Sequence, residues 1–482
     1  MLSKKKSSEQ IDLFKRKFLQ MDILDIMDFL DTEQLLEMIE EGIKEIPHKL
    51  RERIWTPVVT LFAFTKQLLN KGSCSDAVKS VQAEQIRAGQ SPCSGNTSAY
   101  CQAREELPEK LLWNLLRYTG HQLDRESQMH WRWRGRLVKF ADGSTATMSD
   151  TPANQEAYPQ EQSQKEGLGF PILRLEIIAS LNSGSVLDCG VGPYAGKGTG
   201  ESALLRHMIS DNIEAGDIIL MDQYYENFWT EQSLINKGVD ILCPMRVNRK
   251  IEWKNYAKLG DYYDRLFEIK KPRRPEWMTM QEYNEAPESI SMRIFRIYGK
   301  TYVTTMVNPR RYHKNALRKL YQQRWHIELD LRFIKRVMNM EPLRCKTPEM
   351  VRKEIAVTLI AYNMIRIVMV QAGLIYHVWP RYISFKETLS AFLEFSGDLA
   401  RATGAELLRL AKEVLKIVAS RTIGNRKGRV EPRAIKRRRT TRYPYLKTPR
   451  KAKNDEKPEN QSSYQFGSSQ NDGRSEMCAS LT

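Results

Sequence analysis

The stretch Tyr321-Gln-Gln-Arg324-Trp-His-Ile-Glu328-Leu-Asp-Leu-Arg-Phe-Ile-Lys335 constrains the fold more than any other part of the sequence. It lies inside a helical-period run from His313 to about Met340, and a second run from Met350 to Gln371 predicts a further helix. At about 100° per residue, with Tyr321 at 0°, Arg324 falls at about −60°, Glu328 at about −20° and Lys335 at about −40°. Leu320, Ile327, Leu331 and Ile334 fall between about −80° and −140°, so an apolar stripe runs beside the polar one. Such a helix has one edge in a core and the next edge open to a partner. The polar edge reads in two ways. It is a ladder of ion pairs worth a few tenths of a kcal/mol each, or Glu328 holds a divalent ion while Tyr321, Arg324 and Lys335 grip phosphates.

Two further acids stand out by context. Asp142 follows Leu137-Val138-Lys139-Phe140-Ala141, and Asp222 ends Asp217-Ile218-Ile219-Leu220-Met221, both strand-like runs. An acid ending an apolar strand is costly unless it caps a turn, pairs with a cation or binds metal. Asp150 and Asp188 are rivals, with Asp150 better suited to organising the turn before Pro152. Strands are also expected over Ile172–Leu181, Ser185–Gly190 and Val239–Cys243, and helices near 200–210 and 229–237. Strands in succession, then alternating with helices, predict a mixed α/β domain. The glycine-rich stretch Gly192 to Gly200 resembles a phosphate loop but has Val191 and Gly198 at key positions, and reads as a turn. Cysteine spacing offers no zinc site.

Composition sets the partner. The chain carries 76 Lys and Arg against 58 acids, a net charge of +18, which favours nucleic acid. Between Arg421 and Lys453 there are 14 basic residues against Glu431 alone, so 421 onward is expected to be a disordered basic tail that touches phosphates. Seven cysteines in 482 residues argue against a disulfide scaffold and for a reducing cytoplasm. No signal peptide is expected. The apolar run Ile355–Val370, broken by Asn363 and Arg366, reads as a buried core helix and not a membrane span. The first 130 residues look helical, including Met21 to Ile46 with Pro47 as its stop. Ser75–Arg87 and a helix after Asn96-Thr97-Ser98 have helix–turn–helix spacing.

Tyr-x2-Arg-x3-Glu-x6-Lys, in Tyr321, Arg324, Glu328 and Lys335, resembles the signature of bacterial insertion-sequence DDE transposases of the IS-four type. Asp142-Gly-Ser-Thr with Asp150-Thr-Pro-Ala153-Asn-Gln resembles that family's first acidic block, and Leu220-Met-Asp222-Gln223-Tyr-Tyr its second. Ala153 and Gln223 depart from the usual residues. The resemblance covers about residues 50 to 390. It implies a ribonuclease-H-like mixed-sheet core with a mainly β insertion. The expected domains are a helical N-terminal DNA-binding domain (1–130), the core in two parts (131–245 and 303–395), an insertion subdomain (246–302) read from the surplus spacing between Asp222 and Glu328, and a helical segment with the basic tail (396–482), a tail the family resemblance does not cover.

It also implies Asp142, Asp222 and Glu328 as the catalytic acids, holding two Mg²⁺ ions for which Mn²⁺ can substitute. The implied partners are terminal inverted repeats, target DNA and a second copy of the chain in a synaptic complex, in a cytoplasmic, nucleoid-associated setting. The route would be cut-and-paste through a DNA hairpin. The insertion interleaves aromatics with bases, which suits stacking on splayed nucleotides; Trp253 and Trp277 are the first choices by ring area. Two other readings remain: a domesticated, non-catalytic DNA-binding protein, and a ribonuclease-H-like nuclease without strand transfer.

Overall fold

A computed structural model of the chain describes residues 54–399 and 401–423, with Met38 and Glu41. Apart from Met38 and Glu41, the helix expected over Met21–Ile46 lies outside the described residues, as does the tail beyond Ile423. The chain divides into two units, residues 1–161 with 170–431, and 162–169 with 432–482. In the second, described residues 162–169 contain a turn closed by Leu168 N donating to Lys165 O at 3.1 Å. All that follows concerns the first.

Helices α1 (Pro57–Leu69), α2 (Cys74–Arg87), α3 (Ser98–Glu106) and α4 (Glu109–Arg125) form its N-terminal part. Their starts are written in the sequence. Thr56 caps α1 ahead of Pro57, and Ser73 with Asp76 closes a capping box on α2. Asn96 Oδ1 accepts from Ser98 N at 2.8 Å, giving α3 the start expected from its sequence. Helix α4 buries Leu112, Leu115, Leu116 and Leu123. Gly120 lets α4 press on a strand: a Cβ there would sit 2.1 Å from Val186 O.

One sheet of nine strands follows, in the order β3-β2-β1-β4-β5-β9-β8-β7-β6. β1 (Val138–Thr147), β2 (Ile172–Ser180) and β3 (Val186–Pro193) are an antiparallel meander. β4 (Ile218–Leu220) and β5 (Asp240–Pro244) run parallel to β1, joined through α6 (Glu201–Asn212) and α7 (Phe228–Asn236). The expected mixed α/β architecture is present. A short helix α5 (Pro152–Ala157) follows β1, with Thr151 as its cap.

The segment expected as an insertion subdomain is mainly β but does not close a sheet of its own. β6 (Ala257–Lys258), β7 (Asp264–Lys270), β8 (Ser289–Ile297) and β9 (Lys300–Thr304), with α8 (Met280–Glu285), extend the same sheet, because β9 pairs with β5. Its apolar side chains, Phe267, Ile269, Met292 and Ile294, join one core with Ile219, Ile241 and Leu205.

The single helix expected from His313 to Met340 is divided. α9 (Lys314–Gln322) and α10 (Trp325–Arg332) meet at a tightened turn. There Arg324 N bonds Tyr321 O at 2.9 Å and Ile327 N bonds Arg324 O at 3.0 Å, three residues back instead of four. Beyond α10, Phe333–Val337 is a π-helical turn. A wheel drawn at a constant angle therefore loses phase before Lys335.

Helix α11 (Pro348–Tyr376) is the centre of the other core layer, packed against α1, α4, α12 (Phe385–Leu399) and α13 (Gly404–Ser420). It is long and apolar enough to cross a membrane, yet 94% of its most apolar window is buried within the fold. Asn363 and Arg366, which interrupt its apolar run, have partners. Asn363 accepts from Val186 N and donates to Val186 O, both at 2.9 Å, and so pairs the edge strand β3.

Candidate active site

Sheet register brings the first two acids level. β1 and β4 are neighbours with Phe140 opposite Leu220, and Asp142 and Asp222 each lie two residues further on. Glu328 reaches them from α10, which packs against β1. Between the three stands Arg324. Its Nη1 donates to Asp142 Oδ2 at 3.0 Å, its Nη2 donates to Glu328 Oε1 at 3.0 Å, and Nη2 lies 3.6 Å from Asp222 Oδ2. Three residues of the sequence-predicted set are thus gathered around the fourth.

The acids are open to solvent in increasing order, with side-chain exposures of 20% for Asp142, 31% for Asp222 and 42% for Glu328. Burial pushes the Asp142 carboxyl up to about 6; Arg324 opposes that rise, and the nearby Asp222 and Glu328 add to it. Three carboxylates share one guanidinium, so the cluster carries uncompensated negative charge. Among the described residues no three acidic, His or Cys side chains are grouped to hold a metal in this arrangement, since the guanidinium separates the acids. The donor set itself, three hard carboxylates already organised around a cation, fits a hard divalent ion.

The remaining sequence-predicted residues are distributed differently. Tyr321 is half-buried against the core and meets Tyr302 edge-on at 5.4 Å; burial drives its phenol far above the usual range. Lys335, displaced by the π turn, pairs with Glu341 at 2.9 Å. Trp253 is 7% exposed, meets Tyr263 edge-on at 5.3 Å and belongs to the core of β6–β9. It is corrected from a stacking candidate to a core residue, because burial leaves it no free face. Trp277 is 52% exposed, with Arg206 4.3 Å from its ring centroid. Of the rival acids, Asp150 accepts from Gln155 Nε2 at 2.9 Å in its turn, and Asp188 is held by Arg117 and Asn212.

Sequence reasoning passed over the groups behind the acids. Glu201, at the start of α6, pairs with Arg174 at 2.9 Å and lies so flat on the residue after Asp142 that a Cβ on Gly143 would fall 2.2 Å from its Cδ. Glu176, between Leu175 and Ile177 in β2, is fully buried. An acid flanked by Leu175 and Ile177 in a mostly apolar strand was the available signal.

Residues 133–364 match the model of the transposase DDE domain family. The chain is 26% identical over 355 residues to the transposase InsG for insertion sequence element IS4 of Escherichia coli (strain K12), a match covering 71% of this chain and 76% of that protein. Among solved structures, the piggyBac transposase synaptic complex with hairpin DNA aligns with a TM-score of 0.41 and 10% identity over 85% of each chain. Residues 133–364, which carry Asp142, Asp222 and Glu328, are thus similar to the transposase DDE domain, and the chain is similar over most of its length to an IS4-element transposase.

Proposed function

We propose that this protein is a Mg²⁺-dependent DNA transposase that excises its own insertion sequence and joins the freed ends to target DNA. The observation that carries the reading is the meeting of Asp142, Asp222 and Glu328, from β1, the end of β4 and α10, around Arg324. The strand order β3-β2-β1-β4-β5, three antiparallel then two parallel, supports a ribonuclease-H-like core.

Asp142, Asp222 and Glu328 would hold two Mg²⁺ ions, with Mn²⁺ as substitute. Such a pair of ions would supply Lewis-acid activation of an attacking oxygen and charge stabilisation of a leaving one. The protein's own groups do the rest. The acids orient the scissile phosphate opposite the attacking group, water first and then a DNA 3′-hydroxyl, so no protein nucleophile is needed. Arg324, released from the acids, turns its two Nη groups to a phosphate, which it suits by bidentate geometry. One site per end cuts both strands through a hairpin, with the distorted terminal base stacked on Trp277. Helices α1–α4 and the basic stretch 421–453 supply contacts to the ends, and two copies of the chain pair them.

The test is cleavage and joining of a labelled transposon end in Mg²⁺. Asp142→Asn, Asp222→Asn and Glu328→Gln should each lower cleavage by about 10³-fold or more, roughly 4 kcal/mol, with end binding retained. Wild-type levels of cleavage in any one of them would remove that residue from the site. Binding without cleavage by the wild type would favour a domesticated DNA-binding protein. Cleavage without joining of precut ends would favour a nuclease.

A further inference from the structure

Behind the acids, Glu176 and Tyr225 form a buried polar contact that the chemistry above does not use. Both are fully buried, and the Tyr225 hydroxyl donates to Glu176 Oε2 at 2.6 Å. Glu176 Oε1 has no hydrogen-bond partner among the described residues. Placing a carboxyl at a fully buried strand position is costly, and an apolar pair of the same shape would fill the space at no such cost.

The places of the two residues give the contact its use. Glu176 sits on β2 directly across from Gly143, the residue after Asp142. Tyr225 closes the 3₁₀ turn that Asp222 begins, and its N–H bonds Asp222 O at 3.1 Å. β4 is three residues long, and its ladder with β1 ends at Phe140 and Leu220. Past that point no β1–β4 backbone bond fixes Asp222 relative to Asp142. Met221 N turns instead to Leu242 O, at a long 3.3 Å. The bond from Tyr225 to Glu176 therefore ties the turn carrying Asp222 to the strand pair carrying Asp142, at the level where the ladder has stopped.

We propose that Glu176 and Tyr225 are positioning residues that set the separation of Asp142 and Asp222, and through it the affinity of the acidic site for divalent cations. The proposal rests on the metal reading of the three acids. Groups behind metal ligands typically control affinity or activity by about 10- to 100-fold.

The experiment measures Mn²⁺ binding by electron paramagnetic resonance on the full-length protein with a transposon-end duplex bound, alongside thermal unfolding. Tyr225→Phe removes the donor and should weaken Mn²⁺ binding by about 10-fold or more. Glu176→Gln keeps an acceptor for the hydroxyl and should stay within about threefold of wild type, a rescue that simple loss of packing would not give. The double variant Glu176→Leu/Tyr225→Phe leaves no unpaired buried polar group. It should recover thermal stability without recovering Mn²⁺ affinity, and it carries the test if Tyr225→Phe does not fold. Wild-type Mn²⁺ affinity in the folded Tyr225→Phe or double variant would overturn the proposal. Wild-type affinity in Asp222→Asn would instead overturn the metal reading of the acids, so the two failures are distinguishable.

Discussion

Helix α10 carries two charge clusters of opposite make-up. At its start, Arg324 faces three acids, and the group is partly open to water. Two residues past Glu328, Asp330 is 1% exposed and faces two guanidiniums. Arg381 Nη1 reaches its oxygens at 2.7 and 2.8 Å, and Arg366 Nη2 bonds it as well. Arg366 also donates to Tyr362 Oη at 2.6 Å, and Arg381 Nε to Leu181 O at 2.8 Å. In the buried cluster each donor is matched by an acceptor, so nothing is left to bind. In the open one negative charge exceeds positive and water can be exchanged for another cation. Charge of one sign, left uncompensated and reachable, distinguishes a site from a structural knot.

The comparison breaks most readily at Asp330. Asp330→Asn strands two buried guanidiniums and should cost about 3–5 kcal/mol in chemical denaturation. Asp142→Asn, which relieves like-charge crowding around Arg324, should change stability by about 1 kcal/mol or less. Equal losses in the two variants would erase the distinction.

Glu231 extends the comparison to a buried carboxyl that no cation bonds directly among the described residues. It is fully buried on α7, both its oxygens lack hydrogen-bond partners, and burial, helped by Glu226, raises it from 4.5 to about 8. The folded value exceeds the unfolded one. Its favourable contribution is therefore full below about pH 4.5 and is lost as pH rises through about 8. Glu231→Gln should remove this dependence and exceed the wild type in stability by on the order of 3 kcal/mol at pH 8, with little advantage at pH 4.5. Parallel pH–stability curves for the two proteins would show that Glu231 ionises freely.

The smallest effect concerns the aromatics of β6–β9 and the loops between them. Trp277→Ala should spare first-strand nicking and reduce hairpin product by a factor corresponding to about 1–3 kcal/mol of stacking. Trp253→Ala should act through stability alone. A hairpin defect in Trp253→Ala at unchanged stability would reverse that assignment.

The sequence alone determined most of the core strands and where the candidate acids stand on them. Apolar runs of β-branched residues marked β1, β2, β4 and β5 to within a residue or two, because a strand buried on both faces has to be continuous in them. Asp142 and Asp222 were legible because an acid at the end of such a run needs a reason. Arg324 and Glu328 were legible because four residues place them side by side on any helix. Only the tertiary structure decided what depends on partners distant in the chain. The strands of 257–304 join the main sheet because β9 finds β5. Trp253 is core and Trp277 open because different elements cover them, although both are tryptophans among bases. Lys335 leaves the polar edge because the helix tightens at Arg324 and widens after Arg332. Asp330 and Glu328, two residues apart on one helix, have different roles because one faces two arginines delivered by α11 and the segment before α12, and the other faces the sheet's acids. A local pattern fixes which way a side chain leaves the backbone; what it meets there is set by chain folded back from elsewhere.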